Sequence, residues 1–227
     1  MRFECDAVLF DIDGTLVDST AAVERTWHTW ADNHGFDPHV ILETSHGRRS
    51  IDVVTELIPG EHVQAAVEEL ITIGETDLDG VIALPGASEA IAAVRDQRWA
   101  AVTSGEARIM LPRLEAAGLT PPEVMITADD VTRGKPDPEG YAMAARRLGV
   151  DPRRCLVVED APAGIAAGLA AGAQVLAVTT THETDELTLA HAVVPDLSSC
   201  SFFSEEGRTI VEVTSTSSSS TERGHGN

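Results

Sequence analysis

Two carboxylates stand two residues apart in Asp11-Ile12-Asp13-Gly14-Thr15-Leu16-Val17. They follow Ala7-Val8-Leu9-Phe10, a continuous apolar run of the kind that forms a strand covered on both faces. Gly14 then lets the chain turn. A strand ending this way presents a carboxylate and the neighbouring backbone at the rim of a sheet, where open α/β sheets bind their ligands. Such a site can hold a hard cation through oxygen ligands and offer a carboxylate as nucleophile.

Three further stretches carry the same kind of chemistry. Leu156-Val157-Val158 runs into Glu159-Asp160, a second acidic strand end before a helix. Adjacent acids repel each other unless a positive group intervenes, and with Asp11 near them a divalent cation is the economical answer. The competing reading is an acidic cap at a helix N-terminus, favoured by the macrodipole. Ala100-Ala101-Val102-Thr103-Ser104-Gly105 ends a strand in hydroxyls and a glycine, a combination that donates to phosphate oxygens or simply turns the chain into a capped helix. In Gly134-Lys135-Pro136-Asp137-Pro138 two prolines stiffen the loop around the lysine and start the next helix; taken alone, a solvated lysine at a helix start reads equally well.

Taken in order, Asp-x-Asp-Gly-Thr, a strand ending in Thr-Ser-Gly, Gly-Lys-Pro-x-Pro and Val-Val-Glu-Asp-Ala-Pro-Ala-Gly-Ile resemble the four motifs of the haloacid dehalogenase-like phosphohydrolases over about residues 5–180. Spacing to the following helix matches Ser104 to the second motif, with Thr103 as runner-up. The resemblance implies that Asp11 is the nucleophile and Asp13 the acid and base. It implies that Ser104, the Gly105 amide and Lys135 hold the phosphoryl oxygens. Magnesium would be bound by Asp11, Asp160, the Asp13 carbonyl and, through water, Glu159. Within the family the chain most resembles sugar- and polyol-phosphate phosphatases, including microbial hexose- and glycerol-phosphate phosphatases. The expected function is therefore magnesium-dependent hydrolysis of a small phosphorylated metabolite through an aspartyl-phosphate. A sugar phosphomutase similar to the β-phosphoglucomutases is the enzymatic alternative. Those carry a histidine on the first cap helix where this chain has Val23, with none until His28. A magnesium-binding response-regulator-like domain is the alternative from another class; the Asp-x-Asp-Gly-Thr motif and the helical insert count against it.

The elements that must position these groups follow a β-α rhythm. Strand-like runs at 7–10, 99–103, 124–127, 155–158 and 174–178 alternate with helix-like stretches at 87–95, 108–117, 138–148 and 163–171. This predicts an α/β fold with a doubly wound, Rossmann-like parallel sheet. One interval breaks the rhythm: 17–84 shows helical stretches at 20–34, 49–57 and 61–78 and no convincing strand. It reads as a small helical cap inserted into a discontinuous core of 1–16 and 85–200. Residues 201–227 are read as a C-terminal segment, largely a disordered Ser/Thr-rich tail. The cap carries His46-Gly47-Arg48-Arg49 between helices, a basic group on an acidic chain. His46, Arg48 and Arg49 either grip substrate oxygens from the cap or are a solvated helix start. Trp27 and Trp30, three apart on a helix, share a face and read as packing.

Bulk composition narrows the partners. The net charge of −21, from 37 acidic and 16 basic residues, argues against nucleic acid or an anionic membrane surface. It also requires a local positive site for any phosphate substrate. No apolar run approaches the ~18 residues of a membrane span. The N-terminus enters a strand too soon for a signal peptide, and Cys5, Cys155 and Cys200 show no metal spacing. The expectation is a cytoplasmic protein, monomeric or weakly homo-oligomeric.

Overall fold

The computed structural model describes residues 1–45 and 47–213. The chain begins with β1 (Arg2–Cys5), β2 (Ala7–Phe10) and β3 (Val17–Asp18). The insert follows as α1 (Thr20–His34), α2 (Pro38–Ser45), α3 (Ser50–Leu57) and α4 (Val63–Gly74), and β4 (Ile82–Ala83) closes it. The core resumes with α5 (Ala87–Val94), β5 (Trp99–Val102), α6 (Ala107–Ala116), β6 (Val124–Ile126), α7 (Glu139–Arg147), β7 (Cys155–Glu159), α8 (Pro162–Ala170), β8 (Gln174–Val178) and β9 (Ala192–Val194). Two further strands, β10 (Cys200–Glu205) and β11 (Arg208–Val213), end the described chain.

The main sheet runs β6-β5-β2-β7-β8-β9 and all its pairings are parallel. Alternation along the central strand decides its two faces. Val8 and Phe10 enter one apolar cluster with α5 and α6, while Ala7 and Leu9 enter the other with α7 and α8. Every residue of β2 is buried, so the run has no polar positions to alternate with. The order places β2 between β5 and β7, and the first, second and fourth motifs emerge side by side from the carboxyl ends of these three strands.

The insert is a helical unit standing on a two-stranded ribbon. Trp30 is fully buried, its ring edge-on to Trp27, and its Nε1 donates to the Ala66 carbonyl at 2.9 Å, tying α1 to α4. The chain enters and leaves the insert through β3 and β4, which pair as a short antiparallel ribbon. That ribbon was not foreseen in the sequence, since two residues per strand leave no periodicity to read. α2 was also missed: Pro38 reads as a break, but at a first helical position proline is well tolerated.

The C-terminal boundary needs correction. Residues 201–213, grouped above with a disordered tail, form most of β10 and all of β11. With β1 these build a second, antiparallel sheet of order β1-β11-β10. The reason is packing. Phe202 packs at a tilt against Phe10, 5.9 Å between ring centroids, and Ile210 and Val211 are buried. A hairpin this short is stable only when something covers one face. The Ser/Thr-rich stretch itself, 214–227, lies outside the described residues.

Candidate active site

Asp11 stands at the end of β2, and its backbone N–H donates to the Val158 carbonyl on β7 at 3.0 Å. This fixes its side chain beside the fourth motif. Gly14 makes the turn that follows, with φ at 84° and its N–H on the Val17 carbonyl at 2.8 Å. A Cβ at position 14 would stand 2.2 Å from Asp160 Oδ2, so the glycine is required by close approach as well as by φ.

Asp11, Glu159 and Asp160 are all buried, and each offers a carboxylate oxygen within 4.8 Å of the others. The stiff loop before α7 aims Lys135 into this group. Its Nζ touches Asp11 and lies 2.6 Å from Glu159 Oε1 and 3.3 Å from the Val102 carbonyl. Glu159 has further partners: Oε1 accepts from the Tyr141 hydroxyl at 2.8 Å, and Oε2 from the backbone N–H groups of Asp160 and Ala161 at 3.0 and 3.2 Å. Asp160 accepts from Thr15 Oγ1 at 3.3 Å and from the Thr181 hydroxyl.

Three carboxylates against one ammonium leave a surplus of buried negative charge. Burial pushes the Asp11 carboxyl well above its ordinary range; Lys135 opposes this, and Glu159 and Asp160 add to it. Burial and then Glu159 raise Asp160 to about 7. Burial works against the Lys135 charge, but Asp11 and Glu159 more than offset it and hold the lysine above its usual value. Hard oxygen donors with unneutralised charge fit a divalent cation.

The second motif is arranged differently from the expectation. Thr103 and Ser104 both line the cavity above Asp11. Ser104 Oγ, however, donates to the cap carbonyl of Gly47 at 2.7 Å, and the Gly105 N–H donates to Thr103 Oγ1 at 3.1 Å. Both groups expected to face a phosphate are thus held by protein partners in this structure.

The cap arginines part ways. Arg48 lines the cavity but pairs with Glu56 through Nη1 at 3.2 Å and Nη2 at 2.5 Å. Arg49 is buried and does not face the cavity. Its guanidinium forks onto Asp52 at 2.7 and 2.8 Å, and Nη1 donates to the Val131 carbonyl of the core at 2.9 Å. The guanidinium expected to grip substrate is thus engaged by Asp52 and by the core. Paired with Asp52 at helical spacing and bonded to the Val131 carbonyl, it joins cap to core. His46 lies outside the described residues. The cavity between cap and core has a volume of about 150 Å³, and Trp27 and Val23 of α1 face it.

Sequence reasoning missed several contributors. Tyr141, Thr181, Ser19 and Arg113 all contact motif carboxylates. None belongs to a motif, and an arginine inside an amphipathic helix gives no signal of its partner one hundred residues away.

The fold and this group of carboxylates around a lysine define a doubly wound α/β hydrolase with an inserted cap. The chain belongs to the haloacid dehalogenase-like hydrolases, whose family model matches residues 5–172. It is 42% identical over 198 residues to hexitol phosphatase A of Escherichia coli, covering 85% of this chain and 92% of that protein. It is 35% identical over 203 residues to glycerol-1-phosphate phosphohydrolase 2 of Saccharomyces cerevisiae, covering 82% and 80%. Among solved structures it is similar to a putative beta-phosphoglucomutase from Bacteroides vulgatus, with a TM-score of 0.73, 28% identity and 86% of each chain covered. No described helix is long and apolar enough to cross a membrane.

Proposed function

We propose that this chain hydrolyses the phosphate monoester of a small sugar or polyol, with magnesium, through an aspartyl-phosphate on Asp11. The observation that carries this is the buried Asp11–Lys135–Glu159–Asp160 group in a cavity lined by both cap and core. Asp11 attacks phosphorus, and the P–O ester bond breaks with its electron pair leaving on the alcohol oxygen. Asp13 gives that oxygen a proton. In the second step Asp13 takes a proton from water as it attacks phosphorus, and the Asp11 carboxylate departs, releasing phosphate. Lys135, fixed by Glu159 and Tyr141, offsets negative charge on the nucleophile and the phosphoryl oxygens. Thr103, Ser104 and the Gly105 N–H meet those oxygens once the substrate displaces their present partners. Asp11, Asp160 and the Asp13 carbonyl would hold Mg2+, with Glu159 acting through water; the ion supplies charge neutralisation between carboxylates and phosphate.

Polyols are favoured as leaving groups because relatives named for such substrates match 85% and 82% of the chain. Val23, which faces the cavity from α1, stands where the resemblance to the mutases implies a histidine. Its substrate in this reading is a small phosphorylated metabolite, in keeping with the named relatives.

The test is a panel of phosphorylated hexitols, hexoses and glycerol with Mg2+, followed by free phosphate and by the phosphorylated organic product. Phosphate released in step with the free alcohol is the expected result. Conversion of one phosphate isomer into another without phosphate release would make the chain a mutase.

A further inference from the structure

Asp13 is held from two sides. Its Oδ1 accepts from Ser19 Oγ at 2.7 Å, and its Oδ2 from Arg113 Nη1 at 2.8 Å. The two donors come from different parts of the molecule. Ser19 stands between β3 and α1, at the hinge of the insert, whereas Arg113 sits on α6 of the core. The Arg113 side chain is only 4% exposed, and its Nε is buried with no hydrogen-bond partner among the described residues. Its neighbours on the same helix, Ile109, Met110 and Leu114, belong to the apolar core. An apolar side chain would fill this position without desolvating a cation or leaving a donor unpaired. Packing therefore does not account for an arginine here, but the contact with Asp13 does.

We propose that Arg113 is the positioning residue for Asp13. A guanidinium is always charged, and its planar fork fixes the direction of the oxygen it binds. Because α6 is part of the core, this anchor stays with the sheet, while Ser19 follows the hinge. Arg113 thus keeps the carboxylate at the cavity wall in register with Asp11 and sets the geometry for proton transfer at the leaving oxygen. The proposal rests on the reading of Asp13 as the group that carries that proton.

Phenyl phosphate and 4-nitrophenyl phosphate separate the two ideas, since they are close in size but differ in how much the leaving oxygen needs a proton. kcat/KM reports the steps up to departure of the alcohol. Arg113→Met should lower kcat/KM for phenyl phosphate by roughly 10- to 100-fold, a part of the roughly 10²- to 10⁴-fold that general acid catalysis supplies in full. It should lower that for 4-nitrophenyl phosphate by no more than about threefold and leave KM for both nearly unchanged. Arg113→Lys, which keeps a buried cation, should show the same asymmetry at smaller amplitude and serves where the methionine variant folds poorly. Asp13→Asn should show the asymmetry in full, and adding Arg113→Met to it should cost less than about twofold more, because two residues acting as a unit are not additive. Equal losses on both esters, or losses that multiply in the Asp13→Asn background, would overturn the positioning role. Asp13→Asn without any asymmetry would instead overturn the reading of Asp13, whatever Arg113 does.

Discussion

Gly164 leaves the space in which the Glu159 carboxylate lies: a Cβ at position 164 would stand 1.7 Å from Glu159 Oε1. The strand end and the helix after it are therefore packed to a tolerance that only glycine meets. Glu159 in turn fixes Lys135 and Tyr141. Gly164→Ala should displace the carboxylate and loosen the lysine, costing about 1–3 kcal/mol of stability by overpacking and at least tenfold in kcat. Thermal melting and steady-state kinetics together check this; a variant with native melting temperature and native kcat would show that Glu159 is free to move.

Asp11→Asn should abolish turnover while leaving the fold intact. The amide is nearly the same shape, but it is not an anionic nucleophile. Loss of the covalent route should reduce kcat at least about a thousandfold. Circular dichroism would confirm the fold, and near-normal phosphate release would remove Asp11 from the role of nucleophile.

Metal and pH should be linked through stability. Asp160 is raised to about 7 and Asp11 is also raised, so the chelated folded protein binds protons more tightly than the unfolded chain. For carboxyls raised in this way, the stabilisation is fully present below the unfolded value near 4 and is lost as pH climbs through the folded value. The melting temperature of the chelated protein should therefore fall between about pH 4 and pH 7. Mg2+ replaces the lost protons, so its stabilising effect should be larger at pH 8 than at pH 5.5. Calorimetry at the two pH values, with and without Mg2+, measures the difference; an equal gain at both would disconnect these carboxylates from the metal.

The two cap arginines should behave differently. Arg49→Ala breaks the fork onto Asp52 and the contact with the Val131 carbonyl. It should lower the melting temperature and reduce kcat/KM by similar factors for a hexitol phosphate and for acetyl phosphate. Arg48 lines the cavity and its Glu56 partner is exposed, so a substrate can compete for it. Arg48→Ala should cost roughly one decade in kcat/KM on the hexitol phosphate, the worth of one charge-assisted contact, and leave acetyl phosphate nearly untouched. The reverse pattern would return Arg49 to the substrate.

Thr103→Val and Ser104→Ala should settle which hydroxyl of the second motif serves the phosphate. Ser104 is committed to the cap carbonyl of Gly47, while Thr103 is part of the core and receives the Gly105 N–H. Thr103→Val should give the greater loss in kcat on acetyl phosphate, a substrate too small to depend on the cap. A greater loss from Ser104→Ala would favour the assignment that helix spacing suggests.

Composition and short-range pattern determined most of the core. Strands such as Gln174–Val178 and helices such as Thr20–His34 fall where the apolar periods place them, because burial on both faces of a sheet or along one helix face leaves a repeat that a linear chain displays. The four motifs were visible for a related reason. Three are runs of neighbours at strand ends and the fourth is a run on the loop before α7, so residues that act together within a motif also lie together in the chain. What the sequence left open depends on partners far apart in it. The β10–β11 hairpin became part of the fold because Phe202 meets Phe10, and Arg49 was taken from the cavity because Asp52 and Val131 claim its guanidinium. Arg113 gained a role only where α6 packs beside the turn that holds Asp13. Which of its potential partners a charged side chain meets is set by how whole elements pack, and no local spacing carries that information.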